Sequence, residues 1–462
     1  MKKQHTRLIV LSVPFKRLVK HCFSIPFISS LPKEADLVVV APFEMGQENR
    51  NFFHLEKALW ICEKNKIGRV ARLLLSISDL MRRFGYWEKH KNSSLQYYAK
   101  TKYMEFKEDG ETIIFSIPRR LIYKALALLG RERNRWLVLE KMLTNLFPRN
   151  QHLVELASSY KEVTLIQSAN WGVQDRGLAR LSEKYRWNKF LLPYTTDQIY
   201  TNGFLFTDYD GIFVQGPFEK DCATKFHNQP EINLIQLGNS WFRNVDYLLP
   251  KFGKVPVRSK KRVLYAGVSQ LFYSLETELK VIELIHRAVG GSSDEYEIVY
   301  RPVLSRESQK KYVSDRLSGL ASVSIDWPDL SIIALDDDSL ADYELDLQRY
   351  LVSLQSVDLF IMSYLTSMSL DVSYLSGCRV VSNMIDDSGY LAYRNTEIFP
   401  TSLLGENLLV LKTYDDLSDV IATFMSNDYD NLEKDTSALD LWDYSASEYS
   451  SLLRQALEGV KG

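Results

Sequence analysis

The chain has few of the residues that build disulfide scaffolds or metal centres. Its four cysteines, Cys22, Cys62, Cys222 and Cys378, stand far apart with no CxxC pair. That argues against a metal cluster and for reduced thiols. The seven histidines form no HxH, HxxxH or HExxH spacing, so no metal site is expected. No apolar stretch reaches the ~18 residues that a membrane span needs. Neither GxGxxG nor GxxxxGK[ST] occurs, which leaves dinucleotide and P-loop chemistry without support. Net charge is −1 over 462 residues, so the molecule as a whole is no polyanion binder and no nucleic-acid partner is expected. The start, MKKQHTRLIVLSV, is followed soon by Lys16, Arg17 and Lys20. It reads as a first buried strand rather than a signal peptide, and a cytoplasmic protein is expected.

What is present is an α/β pattern. Val/Ile/Leu runs recur with helical stretches between them, as in parallel sheets covered on both faces. Strands are expected at 7–13, 36–42, 162–167, 190–192, 211–214 and 233–237, then at 262–266, 296–300, 323–326, 358–362, 379–382 and 408–411. A helix is expected at 274–288, where Leu275, Leu279, Ile282 and Ile285 share a face. The KEDGE sequence within 106–117 offers an Asp-Gly hairpin turn. Pro250, Gly253 and Pro256 mark a linker. The organisation is therefore two Rossmann-like doubly wound domains facing a cleft: 1–245, a linker at 246–260, 261–443, and a terminal helix at 444–462. Ligands of open α/β sheets bind beyond the carboxyl ends of the strands.

Charge is unevenly placed. Residues 64–135 carry 17 basic and 7 acidic side chains, which reads either as solvated helix faces or as a basic face for an anionic membrane surface or an anionic acceptor. The stretch 326–346 holds acids and no Lys or Arg. Within it, the adjacent acids Asp336, Asp337 and Asp338 read as solvated.

Several strand ends could carry chemistry. YAGVSQLF places Gly267 and Ser269 in a strand-to-helix turn whose amides could face an anion. In YRPVLSR, Pro302 turns the chain out and leaves Arg301 at the edge, where a guanidinium suits phosphate. SYLTSMSLDVSY, after the strand DLFIM, offers Ser363, Thr366, Ser367, Met368 and Ser369 at a helix start, with Asp371 in its first turn. Hydroxyls and free amides there make a phosphate cradle. QSANWGVQDRG sets Trp171, Asp175 and Arg176 beyond another strand. Asp175 is a candidate general base, because a carboxylate can take a proton from an acceptor hydroxyl. Glu44, in APFE after the second strand, is the alternative base.

Three segments resemble bacterial surface-polysaccharide (capsule and O-antigen) glycosyltransferases of the two-Rossmann GT-B architecture, similar to the CDP-glycerol and UDP-sugar transferase group. IFVQGPFEKDCATKFHNQPEINLIQLGNSWF resembles that group's strand-helix-strand segment closing the first domain. SANWGVQDRG resembles its Trp-containing loop, with Gly172-Val173 where an Asp-Asn pair is usual. DLFIMSYLTSMSLDVSYLSGCRVV resembles its donor-domain motif, with Asp371 at the acid position and Arg379 in place of proline. Val303 and Leu304 stand where a donor-gripping His is frequent, so that role does not transfer.

The resemblance implies sugar transfer from a nucleotide-activated donor to a surface glycan or lipid-linked acceptor, without metal or cofactor and with inversion. Donor phosphate would lie on Thr366–Ser369, Gly267, Ser269 and Arg301. The acceptor would meet Trp171 and Arg176, and Asp175 or Glu44 would take its proton. The basic region would hold the protein near the inner face of a membrane. Two rivals are a nucleotide-sugar 2-epimerase of the same fold and a non-catalytic polysaccharide-assembly protein.

Overall fold

A computed structural model of the chain describes residues 5–14, 18–19, 22–62, 67–90, 105–108, 111–114, 116–147, 150–169, 172–194, 198–252, 258–268, 273–290, 294–303, 307–327, 343–363, 367–385, 408–426 and 446–459. Two wholly parallel sheets organise it. The first contains β1 (His5–Ser12), β2 (Asp36–Ala41), β3 (Leu59–Cys62), β6 (Tyr160–Gln167), β7 (Asn188–Leu191), β8 (Gly211–Val214) and β9 (Leu234–Gln236). Its strand order is β3-β2-β1-β6-β7-β8-β9. The second contains β10 (Lys261–Ala266), β11 (Tyr296–Arg301), β12 (Val323–Ile325), β13 (Leu359–Ser363), β14 (Val380–Asn383) and β15 (Leu408–Leu411), in the order β12-β11-β10-β13-β14-β15. A separate antiparallel hairpin joins β4 (Glu105–Glu108) to β5 (Glu111–Ile114), where the Asp-Gly turn is expected. This is a two-domain Rossmann-like architecture, as the alternation of β runs and helices predicts.

In both sheets strand order reverses once, between β1 and β6 and between β10 and β13. Chains leave such neighbouring strands in opposite directions, and open α/β folds place their ligands beyond the carboxyl ends at such a point. At the first reversal Ser12 pairs with Gln167; at the second Ala266 pairs with Met362.

The strands read as continuous apolar runs because both faces are covered. Leu8 and Val10 enter one buried cluster, while Ile9 and Leu11 enter another. In β10, Val263 and Tyr265 face one helix layer and Leu264 and Ala266 the other. Alternation of side chains along a strand makes this split unavoidable. Each fully buried aliphatic contributes about 1.5–3 kcal/mol.

The largest cluster contains Ile9 and Leu11 as well as Leu264 and Ala266, so it runs through both halves. Helices bridge them. The helices that bear on the site and its surroundings are α1 (Ile25–Ser30), α2 (Arg69–Lys89), α3 (Ile117–Gly130), α4 (Arg133–Met142), α5 (Val173–Tyr185), α6 (Pro217–His227), α7 (Ser240–Phe252), α8 (Leu275–Ala288), α9 (Tyr343–Gln355), α10 (Ser367–Ser376) and α11 (Ala446–Glu458). Phe242 of α7 stacks on Tyr374 of α10 with centroids 4.4 Å apart. The last helix, α11, returns to the first half: Ser450 meets Ser30 at 2.7 Å and Tyr449 meets Ser240 at 3.1 Å. Residues 246–252, expected as linker, form the second half of α7 with Pro250 inside its last turn.

Between β3 and β6 the chain inserts α2, the hairpin, α3 and α4. A Cβ on Gly85 would overlap the Gly130 carbonyl, and one on Gly130 would overlap the Met81 carbonyl. Only glycine lets α2 and α3 touch backbone to backbone at this crossing.

Candidate functional site

The carboxyl edge of the first sheet is lined by buried polar groups. Asp175 lies in the first turn of α5, whose preceding residue Gly172 holds φ at 91°. Its carboxyl oxygen Oδ1 accepts from Ser12 Oγ at 2.5 Å, and Gln167 Nε2 donates to the Asp175 carbonyl at 2.7 Å. Gln167 is in turn held by Tyr209, whose hydroxyl donates to Oε1 at 3.1 Å. Asp175 is fully buried, and its Oδ2 has no hydrogen-bond partner among the described residues. Burial pushes its pKa well above the ordinary carboxylate value, outweighing the hydrogen bonds from Ser12 and Gln167.

Further buried groups stand beyond the adjacent strands. Gln198 Oε1 accepts from the Tyr194 amide at 2.8 Å, while its Nε2 lacks a partner among the described residues. Directly after β8, Gln215 leaves Oε1 unpartnered in the same sense. Its backbone amide donates to the carboxylate of Glu219, which is buried in the first turn of α6. Glu44 is exposed just past the end of β2. Unpaired buried polar atoms cost about 1–3 kcal/mol each; among the described residues they also occur away from this edge, as at the Tyr86 hydroxyl and His227 Nδ1.

The second sheet's carboxyl edge is arranged differently. Glu278 of α8 reaches under the turn after β10. Its carboxyl oxygens accept from the Val268 amide at 2.9 Å and from the Tyr300 hydroxyl at 2.7 Å. A Cβ on Gly267 would collide with this carboxyl group. Burial raises the Glu278 pKa to about 7, against the opposing hydrogen bonds from Tyr300, Val268 and Ser363. Beside it the Tyr265 hydroxyl and Ser363 Oγ lie 2.9 Å apart, and Asn383 Nδ2 donates to Tyr265 at 2.8 Å.

This arrangement corrects several expectations. Gly267 and Ser363 were expected on donor phosphate. Instead the protein's own carboxyl group occupies the Gly267–Val268 turn, and Ser363 is fully buried against Tyr265. Asp371 was also expected there, but it accepts from Trp241 Nε1 at 2.9 Å and from the Tyr350 hydroxyl at 2.6 Å. It joins α7, α9 and α10. Arg301 donates to Asp326 at 2.9 Å and lies 5.0 Å from the Tyr350 ring centroid, so its charge is already partnered. Ser369 is buried, Met368 packs half-buried against the main cluster, and Ser367 begins α10. Thr366, Ser269 and Trp171 lie outside the described residues, as do Asp336, Asp337 and Asp338.

Arg176 was expected at the acceptor. It is 2% exposed and turned away from the edge, donating to both Glu140 carboxylate oxygens at 2.7 and 2.6 Å and to the Leu75 carbonyl at 2.8 Å. Glu140 also accepts from Ser78 at 2.6 Å. Arg176 thus fastens α2 and α4 to α5. Its neighbour Asp175 points elsewhere because consecutive helical residues diverge by about 100°.

Among the described residues no cluster of three or more His, Cys, Asp or Glu could hold a metal ion, and no helix is long and apolar enough to cross a membrane.

No protein-family model matches the chain, and no curated protein matches it in sequence. Solved structures do match in fold. One is a putative UDP-N-acetylglucosamine 2-epimerase from Listeria monocytogenes, with a TM-score of 0.54 and 11% identity over 100% of this chain and 98% of that one. Another is a UDP-GlcNAc 2-epimerase from Neisseria meningitidis bound to UDP-GlcNAc, with a TM-score of 0.51 and 10% identity over 98% of this chain and 100% of that one. MnaA of S. aureus in complex with UDP matches with a TM-score of 0.51 and 9% identity over 96% of this chain and 94% of that one. Identities this low speak to fold alone. With the two sheets, they define a GT-B fold.

Glu278 was the residue most open to detection from sequence. Leu275, Glu278, Leu279 and Ile282 follow i, i+3, i+4, i+7 spacing, so a carboxyl group occupies a slot on the apolar face. An acid there needs partners. Gln198, Gln215 and Glu219 carry no comparable signal, because each lies in or beside a turn.

Proposed function

We propose that the protein is a nucleotide-sugar enzyme, and specifically a metal-independent glycosyltransferase acting on a surface glycan or lipid-linked acceptor. The observation that carries the reading is Asp175: a buried carboxyl group with a raised pKa and an unpartnered oxygen, at the strand-order reversal of the first sheet. A raised pKa makes the Asp175 carboxylate, once ionised, a stronger base than an exposed one, which suits removal of a hydroxyl proton. In this reading the first half (1–245) holds the acceptor and the second half (261–443) holds the donor.

The acceptor oxygen attacks the anomeric carbon as Asp175 takes its proton. The bond from that carbon to phosphate breaks, and the electron pair leaves with the phosphate. A single displacement inverts the centre. Main-chain amides at the start of α10 are the positive end available to the leaving phosphate, since the Gly267–Val268 turn holds Glu278. Asp175 has no exposed surface, so an acceptor reaches Oδ2 only after local opening of that edge. The nucleotide sugar is substrate, and no cofactor enters. Work at the inner face of a membrane, where lipid-linked acceptors lie, belongs to the same proposal.

A second reading, nucleotide-sugar 2-epimerase, is favoured by the fold likeness over the whole chain. In it Asp175 would move a proton on the sugar itself. A thermal-shift screen with UDP, GDP, CMP, CDP and dTDP, followed by turnover assays with and without acceptor, separates the readings. Acceptor-dependent release of nucleotide supports transfer. Conversion of the sugar without acceptor supports epimerisation. Absence of any nucleotide shift together with absence of turnover overturns both and leaves a non-catalytic assembly protein.

A further inference from the structure

Exposed apolar side chains are concentrated in the insertion between β3 and β6. Of fifteen large apolar residues exposed among the described ones, ten lie between Val70 and Met142. The clearest case is α3. Ile117, Leu121, Ile122, Leu128 and Leu129 are each 56–65% exposed. They follow i, i+4, i+5, i+11 and i+12, which puts them on one stripe of the helix. The opposite stripe is the packed one: Tyr123, Leu126 and Ala127 lie against a buried cluster, and Gly130 lies against α2. A helix apolar on two faces with only one covered has a second surface to cover.

The fringe of this stripe is cationic. Lys124 is exposed on α3 itself, as is Arg119, which leans toward the packed side and donates to the Tyr123 hydroxyl at 2.7 Å, and Arg131, Arg135 and Lys141 are exposed on the connection to α4 and along it. Among the described side chains of residues 67–147, Glu132 is the one exposed acid, and it faces Lys89 at 3.6 Å. A second copy of the same surface would bring like charges together. A bilayer of anionic lipid complements both features: its acyl region takes the aliphatic stripe and its headgroups take the basic fringe. At 14 residues α3 is too short to span a bilayer, so it would lie in the interface plane.

We propose that the outer stripe of α3 is a membrane-docking surface that inserts into the headgroup region of an acidic phospholipid bilayer, with its Arg and Lys fringe on the lipid phosphates. The proposal refines the membrane-side placement given above. Its readout is vesicle binding, which succeeds or fails separately from turnover.

The test is cosedimentation of the full chain with vesicles of phosphatidylcholine alone or with a third phosphatidylglycerol. Wild type should bind the anionic vesicles, bind neutral ones weakly, and lose binding as salt rises. The double variant Leu121→Gln/Leu128→Gln, at exposed positions that tolerate a polar side chain, should keep its melting temperature and bind anionic vesicles at least about tenfold more weakly. Arg119→Gln/Lys124→Gln should lose the preference for anionic over neutral vesicles. Equal binding of both vesicle types by wild type, no vesicle binding at all, or unchanged binding by the leucine variant would overturn the proposal. So would a wild-type dimer that the leucine variant dissolves, because the occupant would then be a second copy, and so would saturable capture by an acidic protein without vesicle binding.

Discussion

The two strand-order reversals are equivalent in topology and opposite in chemistry. Beyond β1 and β6, the protein leaves Asp175 Oδ2, and beyond the neighbouring strands Gln198 Nε2 and Gln215 Oε1, without protein partners among the described residues. Beyond β10 and β13, Glu278, Tyr265, Tyr300, Ser363 and Asn383 bond one another. The first edge thus leaves a carboxyl oxygen without a partner, whereas the second commits its buried acid to internal partners, although Ser382 Oγ on β14 also lacks one among the described residues. A topological switch point tells where a ligand can sit; whether it does depends on what the adjoining helix sends into it. In the second sheet, α8 sends a carboxyl group that takes up the Val268 amide, so that amide is not free for a phosphate. In the glycosyltransferase reading proposed above, donor phosphate would therefore meet the start of α10.

The sharpest way to break this comparison is at Asp175. Asp175→Asn keeps the shape and the Ser12 contact but removes the proton acceptor. Turnover should fall by about 10³-fold, with the melting temperature unchanged or higher, since a buried acid that resists ionisation is replaced by a neutral group. Nucleotide binding, measured by thermal shift, should persist. Full activity in this variant would show the first edge to be merely polar.

Arg176→Ala tests the neighbour that the structure removes from the site. It strands Glu140 as a buried charge, so stability should drop by about 3–5 kcal/mol, read by urea unfolding. Arg176→Ala that folds normally but loses acceptor binding would return Arg176 to the site and blur the contrast between two adjacent residues.

Much of this fold was legible in the sequence. Strands β8 and β15 coincide with the expected 211–214 and 408–411, and the other expected strands agree to within about two residues at either end, because double-sided burial writes an unbroken Val/Ile/Leu run. Strand β3 was missed: it is four residues at a sheet edge, with Leu59 exposed. The candidate site was less legible, for a physical reason. The segments placed at strand ends do lie there, yet which atom each side chain meets is set by residues remote in sequence. Asp371 meets Trp241, 130 positions away, and Arg176 meets Glu140, 36 positions away. Spacing motifs carry no trace of such partners. Glu278 is the exception, since an acid on an apolar helix face is visible as a mismatch before any partner is known.

Glu278→Gln probes the closed side and has the smallest expected effect. Its folded pKa of about 7 lies above the ordinary 4.5. Below pH 4.5 the acid is protonated in both states, and its contribution to stability is fully present. Between 4.5 and 7 the unfolded chain gives up the proton while the folded chain keeps it, so stability falls as pH rises, by about 3 kcal/mol across the window. Gln can still accept from the Val268 amide, and its NH₂ can donate to the Tyr300 hydroxyl, so the network survives without the titration. The variant should therefore gain on wild type in melting temperature between pH 5 and pH 8, with nucleotide binding unchanged. A constant difference across that range would mean Glu278 does not titrate there. Loss of nucleotide binding would mean that the second crevice takes its ligand through Glu278 after all, and the contrast between the two edges would fail.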